Sequence, residues 1–450
     1  VVTGRGTSGP GRDAVELAVD RVVAGGAGMA TLDGRKVFVP FSAPGERVRV
    51  RLITTKRDYA VARLDAVLEP SPHRRPPPCP LFGRCGGCQL QHIGYDEQLR
   101  VKQGIVADAL RRIGRLELPV APVVPAPDEW HYRNKTQYAV GFERGPVIGY
   151  YYAGTHRIIA ADTCPLHPPR FDAARRAAAG WLEGAAGEAY REDSHSGNVR
   201  HLILRTDGTR TVATVATRTR EIDAELIRRL QAVPEVGAVV QTVNPERTNR
   251  ILGVQTRPIL GEPGLEYTLA GNRLRVFPTA FFQVNTVQAE ALAALVRARL
   301  AGRQWPQVID LYSGVGALAL AVADLAGRVI GVELDRDAVA DARANAELNS
   351  RGNVEFREAD IETSQLPAVG ADDAVILDPP RRGAGRELLA ALVAARPARV
   401  IYVSCDPATL ARDLAVLAAA GYRAASVEPL DMFPQTAHVE TVVTLDRPDA

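Results

Sequence analysis

Between residues 14 and 69, apolar and polar positions alternate in VELAVDRVV, KVFVP, RVRVRLI and YAVARLDAVLE, with glycine-rich breaks between the runs. A period of two over short runs marks half-buried antiparallel strands, so this stretch predicts a small OB-like β-barrel. The pattern breaks at SPHRRPPP, a stiff linker, and residues 95–115 then take up helical periodicity. From 130 to 260, strand-like runs (YRNKTQYAVGF, VIGYYY, HLILRT, VATVAT, AVVQTVN) mix with helix-like stretches at 171–188 and 221–232, which predicts an α+β middle domain. The last third alternates strands (VIDLY, RVIGVEL, VEFREAD, DAVILD, RVIYVSC, closing on VETVVTL) with Ala/Leu-rich helices. That is the pattern of a doubly wound, Rossmann-like sheet. The fold class expected is multidomain α/β: a disordered tail at 1–13, the barrel at 14–70, the middle domain at 71–265 and the doubly wound domain at 266–450.

Composition narrows the class. With 46% hydrophobic and 24% charged residues, and no apolar run near the ~18 needed to cross a bilayer, the chain predicts a soluble protein with no membrane partner. Its first residues, VVTGRGTSGPGRD, lack the hydrophobic stretch of a secretory signal, so a cytoplasmic location is expected, and a monomer suffices for three domains. The net charge of +3 conceals an asymmetry: from Trp305 onward 13 Arg oppose 22 Asp plus Glu, or −9, which leaves +12 on residues 1–304. A basic front half predicts a polyanionic partner such as RNA, although 51 of the 55 basic residues are Arg and base composition alone could produce that. On the barrel, Arg47, Arg49, Arg51, Lys56, Arg57 and Arg63 are the candidate basic face.

Five cysteines are too few for a disulfide scaffold. Three of them, Cys79, Cys85 and Cys88, form a Cys-x5-Cys-x2-Cys run in PPPCPLFGRCGGCQLQ, and Cys164 follows in ADTCPLH. Four soft ligands suit zinc or an iron-sulfur cluster. Three close cysteines and a distant one followed by proline favour a [4Fe-4S] cluster over the paired knuckles of zinc.

The first strand of the last domain ends in Asp310-Leu-Tyr-Ser-Gly314-Val-Gly316, whose glycines allow a ligand to approach the backbone at a helix N-terminus. Glu333, 19 residues after Gly314, closes the second strand where a carboxylate can accept from ribose hydroxyls. Asp360, in READ, can accept from an adenine amino group, and Asp378 opens the Asp-Pro-Pro of ILDPPRRG. That tripeptide at a fourth strand end points to S-adenosylmethionine rather than a dinucleotide. Cys405 stands at the end of the fifth strand in VIYVSCDPATLARD, where ligands bind an open α/β sheet. A thiolate there can add to C6 of a uracil and give C5 the enolate character needed to accept a methyl group. Reversal needs a base. Glu440, opening the closing strand in PQTAHVETVVTL, is the candidate, with His438 two residues earlier as an alternative.

Together these motifs resemble the bacterial RNA uracil-C5-methyltransferases that make 5-methyluridine in 23S rRNA and tRNA. The resemblance spans nearly the whole chain and implies a TRAM barrel, a [4Fe-4S] domain and a catalytic domain in that order. SCDPATLARD is similar to the family's nucleophile signature, with Asp406 where Asn is more usual. The resemblance implies Cys405 as nucleophile, Glu440 as base, and cofactor contacts from Gln283 in AFFQVN, Tyr312, Glu333, Asp360 and Asp378. Ala317 replaces a common Asn after the glycine turn. The resemblance also implies a flipped target base, with 23S rRNA as first choice of partner and tRNA second. Alternatives are methylation of an exocyclic nitrogen, which needs no thiol, and an RNA-binding protein with a vestigial methyltransferase domain.

Overall fold

The computed structural model describes residues 14–253, 255–363 and 366–448; the tail expected at 1–13 lies outside them. The first unit is a six-stranded sheet in the order Val15–Ala18, Arg47–Thr55, Tyr59–Glu69, Arg35–Pro40, Ala27–Leu32, Arg21–Val22. The alternation read from the sequence puts Leu17, Val37, Val39, Val48, Val50, Ala60 and Ala62 into one core. Bulges at Arg47/Val48, Arg49/Val50 and Leu52/Thr54 bend the long central pair around it. The arginines on the outer face are not free charges. Arg47 pairs with Glu16 and Glu69, Arg49 with Glu16, and Arg51 and Arg63 with Asp65.

Helix Tyr95–Ala109 leads away from the cysteine loop and ends in a π-turn, Leu110–Gly114. Gly114 passes so close to helix Pro407–Ala419 that a β-carbon on it would stand 2.8 Å from the Ala411 carbonyl oxygen. The middle unit is a seven-stranded sheet in the order Gln255–Leu260, Val236–Val243, Thr211–Thr217, Val199–Thr206, Lys135–Phe142, Pro146–Tyr151, Ile158–Ala160. Helices Arg170–Gly184 and Ala224–Gln231 pack on it through Phe171, Trp181, Leu226 and Leu230.

The C-terminal unit begins with the hairpin Leu265–Leu269/Asn272–Val276, which sequence periodicity did not single out, and helix Thr286–Leu300, capped by the Asn285 side chain. Its sheet has seven strands: β1 (Trp305–Leu311), β2 (Ala326–Glu333), β3 (Val354–Glu358), β4 (Ala374–Leu377), β5 (Arg399–Ser404), β6 (Arg423–Leu430) and β7 (Glu440–Asp446). Their order is β3-β2-β1-β4-β5-β7-β6, parallel throughout except for β7, which is antiparallel to both neighbours. Successive residues alternate between two cores. Val308, Val329, Ile376 and Ile401 face one, while Ile309, Ile330, Val375 and Val400 face the other. A sheet buried on both faces requires such unbroken apolar runs. Strand order reverses between β1 and β4, so a crevice opens there beyond their carboxyl ends.

Candidate active site

Every residue expected at the sheet edge from β1 to β5 falls at a carboxyl end. Tyr312 follows β1, Glu333 ends β2, Asp360 lies two residues past β3, Asp378 follows β4 and Cys405 follows β5. The chain turns sharply after β1, with Tyr312, Gly314 and Gly316 at φ of 66°, 53° and 83°. Gly316 has no alternative, since a β-carbon there would meet the Phe356 ring at 2.5 Å. Glu333 braces the turn by accepting from the Gly314 N–H at 3.0 Å and from the Asp335 N–H at 2.9 Å. The Tyr312 hydroxyl donates to Glu362 at 2.5 Å, and Glu362 also accepts from the Gly385 N–H at 2.9 Å. Asp360 accepts from the Glu362 N–H at 3.0 Å.

Gln283 lies in the irregular segment between the hairpin and helix Thr286–Leu300. Its neighbours Ala280 and Phe282 belong to the same core as Val315, Leu318 and Met432. Asn134 of the middle unit donates to the Gln283 carbonyl at 2.9 Å and to the Thr286 hydroxyl at 3.0 Å.

The antiparallel closure sets the remaining pair. Ser404 of β5 is opposite Thr441 of β7, so Cys405, one residue beyond, lies beside Glu440, one residue before. Glu440 is 2% exposed and its Oε1 has no hydrogen-bond partner. Burial, reinforced by Asp378, holds its carboxyl well above the usual range. Asp378 is pushed up to about 7 by burial, and Asp310 to about 8 by burial and then by Asp378. Burial and the Glu440 and Asp378 carboxylates raise the Cys405 thiol to about 11, with Arg381 acting in the opposite direction. His438 lies beside Arg381 and the Phe433 ring, which shield its imidazole from water, and that desolvation and the nearby cations depress it to about 4.

Helix Pro407–Ala419 explains the rest of SCDPATLARD. Asp406 caps it, accepting from the Ala408 and Thr409 N–H groups. The Thr409 hydroxyl donates to the Arg381 carbonyl at 3.1 Å and Arg412 to the Arg382 carbonyl at 2.9 Å. Asp413, fully buried, accepts from the Tyr402 hydroxyl at 2.6 Å and the Ala384 N–H at 2.9 Å. Helix Pro407–Ala419 thus fixes the loop that carries Arg381, whose charge acts on Cys405. Arg381, Glu362 and Asp413 were missed as site residues, although ILDPPRRG and SCDPATLARD contain two of them.

Cys79, Cys85, Cys88 and Cys164 line one cavity of about 380 Å³, together with Arg133, Lys135, Tyr150, Arg205 and Phe281. Burial and neighbouring thiols raise Cys88 to about 12 and Cys164 to about 11. Among the described residues, no group of three or more His, Cys, Asp or Glu is arranged to hold a metal ion.

This architecture has close relatives. An uncharacterised RNA methyltransferase of Halalkalibacterium halodurans is 40% identical over 448 residues, covering 96% of this chain and 97% of its own. Residues 272–448 match the tRNA (uracil-5-)-methyltransferase family. The chain belongs to that family. Within it, residues 15–73 match the TRAM domain described for tRNA (uracil(54)-C(5))-methyltransferase. A second relative, an uncharacterised RNA methyltransferase of Gloeobacter violaceus, is 41% identical over 446 residues, 96% of either chain. Among solved structures, the Pyrococcus abyssi tRNA (uracil-54, C5)-methyltransferase in complex with S-adenosyl-L-homocysteine superposes with a TM-score of 0.76. It is 28% identical and is matched over 95% of this chain and 100% of its own. No helix of the described residues is long and apolar enough to cross a membrane.

Proposed function

We propose that this family member transfers a methyl group from S-adenosylmethionine to carbon 5 of one uridine in a structured RNA, through a covalent bond between Cys405 and C6. The observation that carries the reading is the β5–β7 register, which brings a thiol and a water-poor carboxyl together at the edge where Tyr312, Glu333, Asp360 and Asp378 converge. The Cys405 thiolate adds to C6, and the electron pair displaced onto C5 takes the methyl group from the sulfonium as that carbon–sulfur bond breaks. Glu440, as carboxylate, removes the C5 proton. The electrons reform the C5–C6 double bond and expel the thiolate. A raised carboxyl pKa suits this step, because the base must accept a proton from carbon and later return it to water. The uracil must leave its stack to reach Cys405.

The cofactor reading assigns Glu333 to the ribose hydroxyls, Asp360 to the adenine amino group, and Gln283, Tyr312 and Asp378 to the remaining contacts. The four cysteines fit a [4Fe-4S] cluster better than zinc. The reading rests on their spacing, three close cysteines and a distant one followed by proline; all four line one cavity, where Arg133, Lys135 and Arg205 complement a negatively charged guest. Bound there, a cluster would tie the 79–88 loop to Cys164 and hold the thiols deprotonated.

For the RNA, 23S rRNA is the first reading, on the resemblance of a TRAM barrel joined to a four-cysteine module. The likeness to the Pyrococcus abyssi tRNA enzyme favours tRNA as the second. The test is to incubate the protein with methyl-labelled S-adenosylmethionine and, separately, unmodified 23S rRNA and tRNA, then digest to nucleosides. Labelled 5-methyluridine from one RNA establishes the reaction and its substrate, and any other labelled nucleoside overturns it.

A further inference from the structure

Arg205 lies on strand Val199–Thr206 of the middle unit, 1% exposed. A buried guanidinium ordinarily sits against a carboxylate, because an unpaired charge loses its hydration with nothing in return. Arg205 instead donates to backbone carbonyls of a single short segment. Its Nη1 reaches the carbonyls of Phe277, Pro278 and Ala280 at 3.3, 3.4 and 2.8 Å, and its Nη2 reaches that of Phe282 at 3.5 Å. Burial lowers its pKa, with Tyr267 and Asp341 acting in the opposite direction. The segment has no helix or strand of its own and exposes Phe281 to 70%, although Ala280 and Phe282 are buried and the Phe277 N–H donates to Asp341 at 2.9 Å. Asn134 takes over where Arg205 stops, holding Gln283 and Thr286.

We propose that Arg205 is a positioning residue that fixes residues 277–282 so that Gln283 meets the cofactor. Phe281, Phe282 and Val284 of this segment line the four-cysteine cavity together with Arg205, so the guanidinium stands between that cavity and the backbone it holds. Five donors in a rigid fork can satisfy several carbonyls of a folded-back segment at once, which a lysine ammonium does less well. The inference rests on Gln283 being a cofactor contact.

The experiment measures S-adenosylhomocysteine binding by calorimetry and steady-state KM and kcat for Arg205→Met, Arg205→Lys, Gln283→Ala and Arg205→Met/Gln283→Ala. Asn134→Ala serves as a second perturbation of the same segment, and a thermal melt verifies folding of each variant. Arg205→Met is expected to weaken binding roughly tenfold to a hundredfold, as misplacement by about an ångström does. Arg205→Lys should recover part of that loss, and KM for S-adenosylmethionine should rise more than kcat falls. In the Gln283→Ala background the Arg205 effect should vanish, since residues acting through one another are not additive. An equal loss with and without Gln283, or unchanged binding in folded Arg205→Met alongside a weakened Gln283→Ala, overturns the proposal. Unchanged binding in Gln283→Ala overturns the cofactor assignment of Gln283 itself, and the role of Arg205 with it.

Discussion

Burial holds the thiol proposed as nucleophile in its protonated form, and this can be measured on the protein alone. Cys405 is raised from an ordinary 9.0 to about 11. At pH 8 its thiolate fraction is therefore roughly 0.1%, against roughly 10% for an unperturbed thiol. The rarer thiolate is intrinsically more nucleophilic, and a Brønsted slope of about 0.45 over two units returns a factor of roughly eight. Net alkylation should be about tenfold slower than for an ordinary cysteine and climb about tenfold per pH unit from 8 to 10. The neighbouring cation gives the test a sign: Arg381→Ala removes the charge that opposes the rise and should slow labelling by roughly three- to tenfold. The assay is iodoacetamide labelling across pH, read by mass spectrometry on the peptide containing Cys405 so that the four cavity thiols do not contribute. A labelling midpoint near 9, or acceleration in Arg381→Ala, would refute the electrostatic account.

Three further outcomes follow from the same geometry. Asp378, raised to about 7, and Asp310, raised to about 8, keep their protons at lower pH, and a cationic ligand favours their charged forms. Affinity for S-adenosylmethionine should therefore strengthen as pH rises from 6 to 8.5, with proton release visible in buffers of different ionisation enthalpy; S-adenosylhomocysteine, lacking the sulfonium charge, should show a smaller change. Lys102 and Asp431 form a fully buried ion pair that ties helix Tyr95–Ala109 to the segment before β7. Lys102→Met strands the carboxylate and should cost about 3–5 kcal/mol in denaturant unfolding, with much of that recovered when Asp431 is also made apolar. Gly316→Ala forces both a strained φ and a clash with Phe356, and should destabilise the protein by about 1–3 kcal/mol while weakening cofactor binding in calorimetry.

Much of this arrangement was legible in the sequence because local periodicity encodes it. The apolar runs of β1 to β5 announce a sheet buried on both faces, and a closing antiparallel strand is enough to bring Glu440 towards Cys405. Long-range pairings are what the sequence hides. The barrel arginines read as a basic face, yet Glu16, Asp65 and Glu69 pair with four of its six cations once register places those carboxylates opposite. Lys102 and Asp431 are 329 residues apart, and nothing local marks either as buried. Glu362 reads as a loop carboxylate, although it joins Tyr312 to the loop after Asp-Pro-Pro. Asp360, expected to end β3, lies two residues beyond it, because the strand stops where the chain turns to bring Glu362 inward.

The most direct test of the central claim is whether Glu440→Gln, incubated with S-adenosylmethionine and the RNA that is methylated, accumulates a protein–RNA complex that survives denaturation. The account predicts such an adduct, mapped by mass spectrometry to Cys405 and carrying a methylated uracil, and its absence from Cys405→Ala/Glu440→Gln. No adduct, together with continued 5-methyluridine formation by Cys405→Ala, would contradict it.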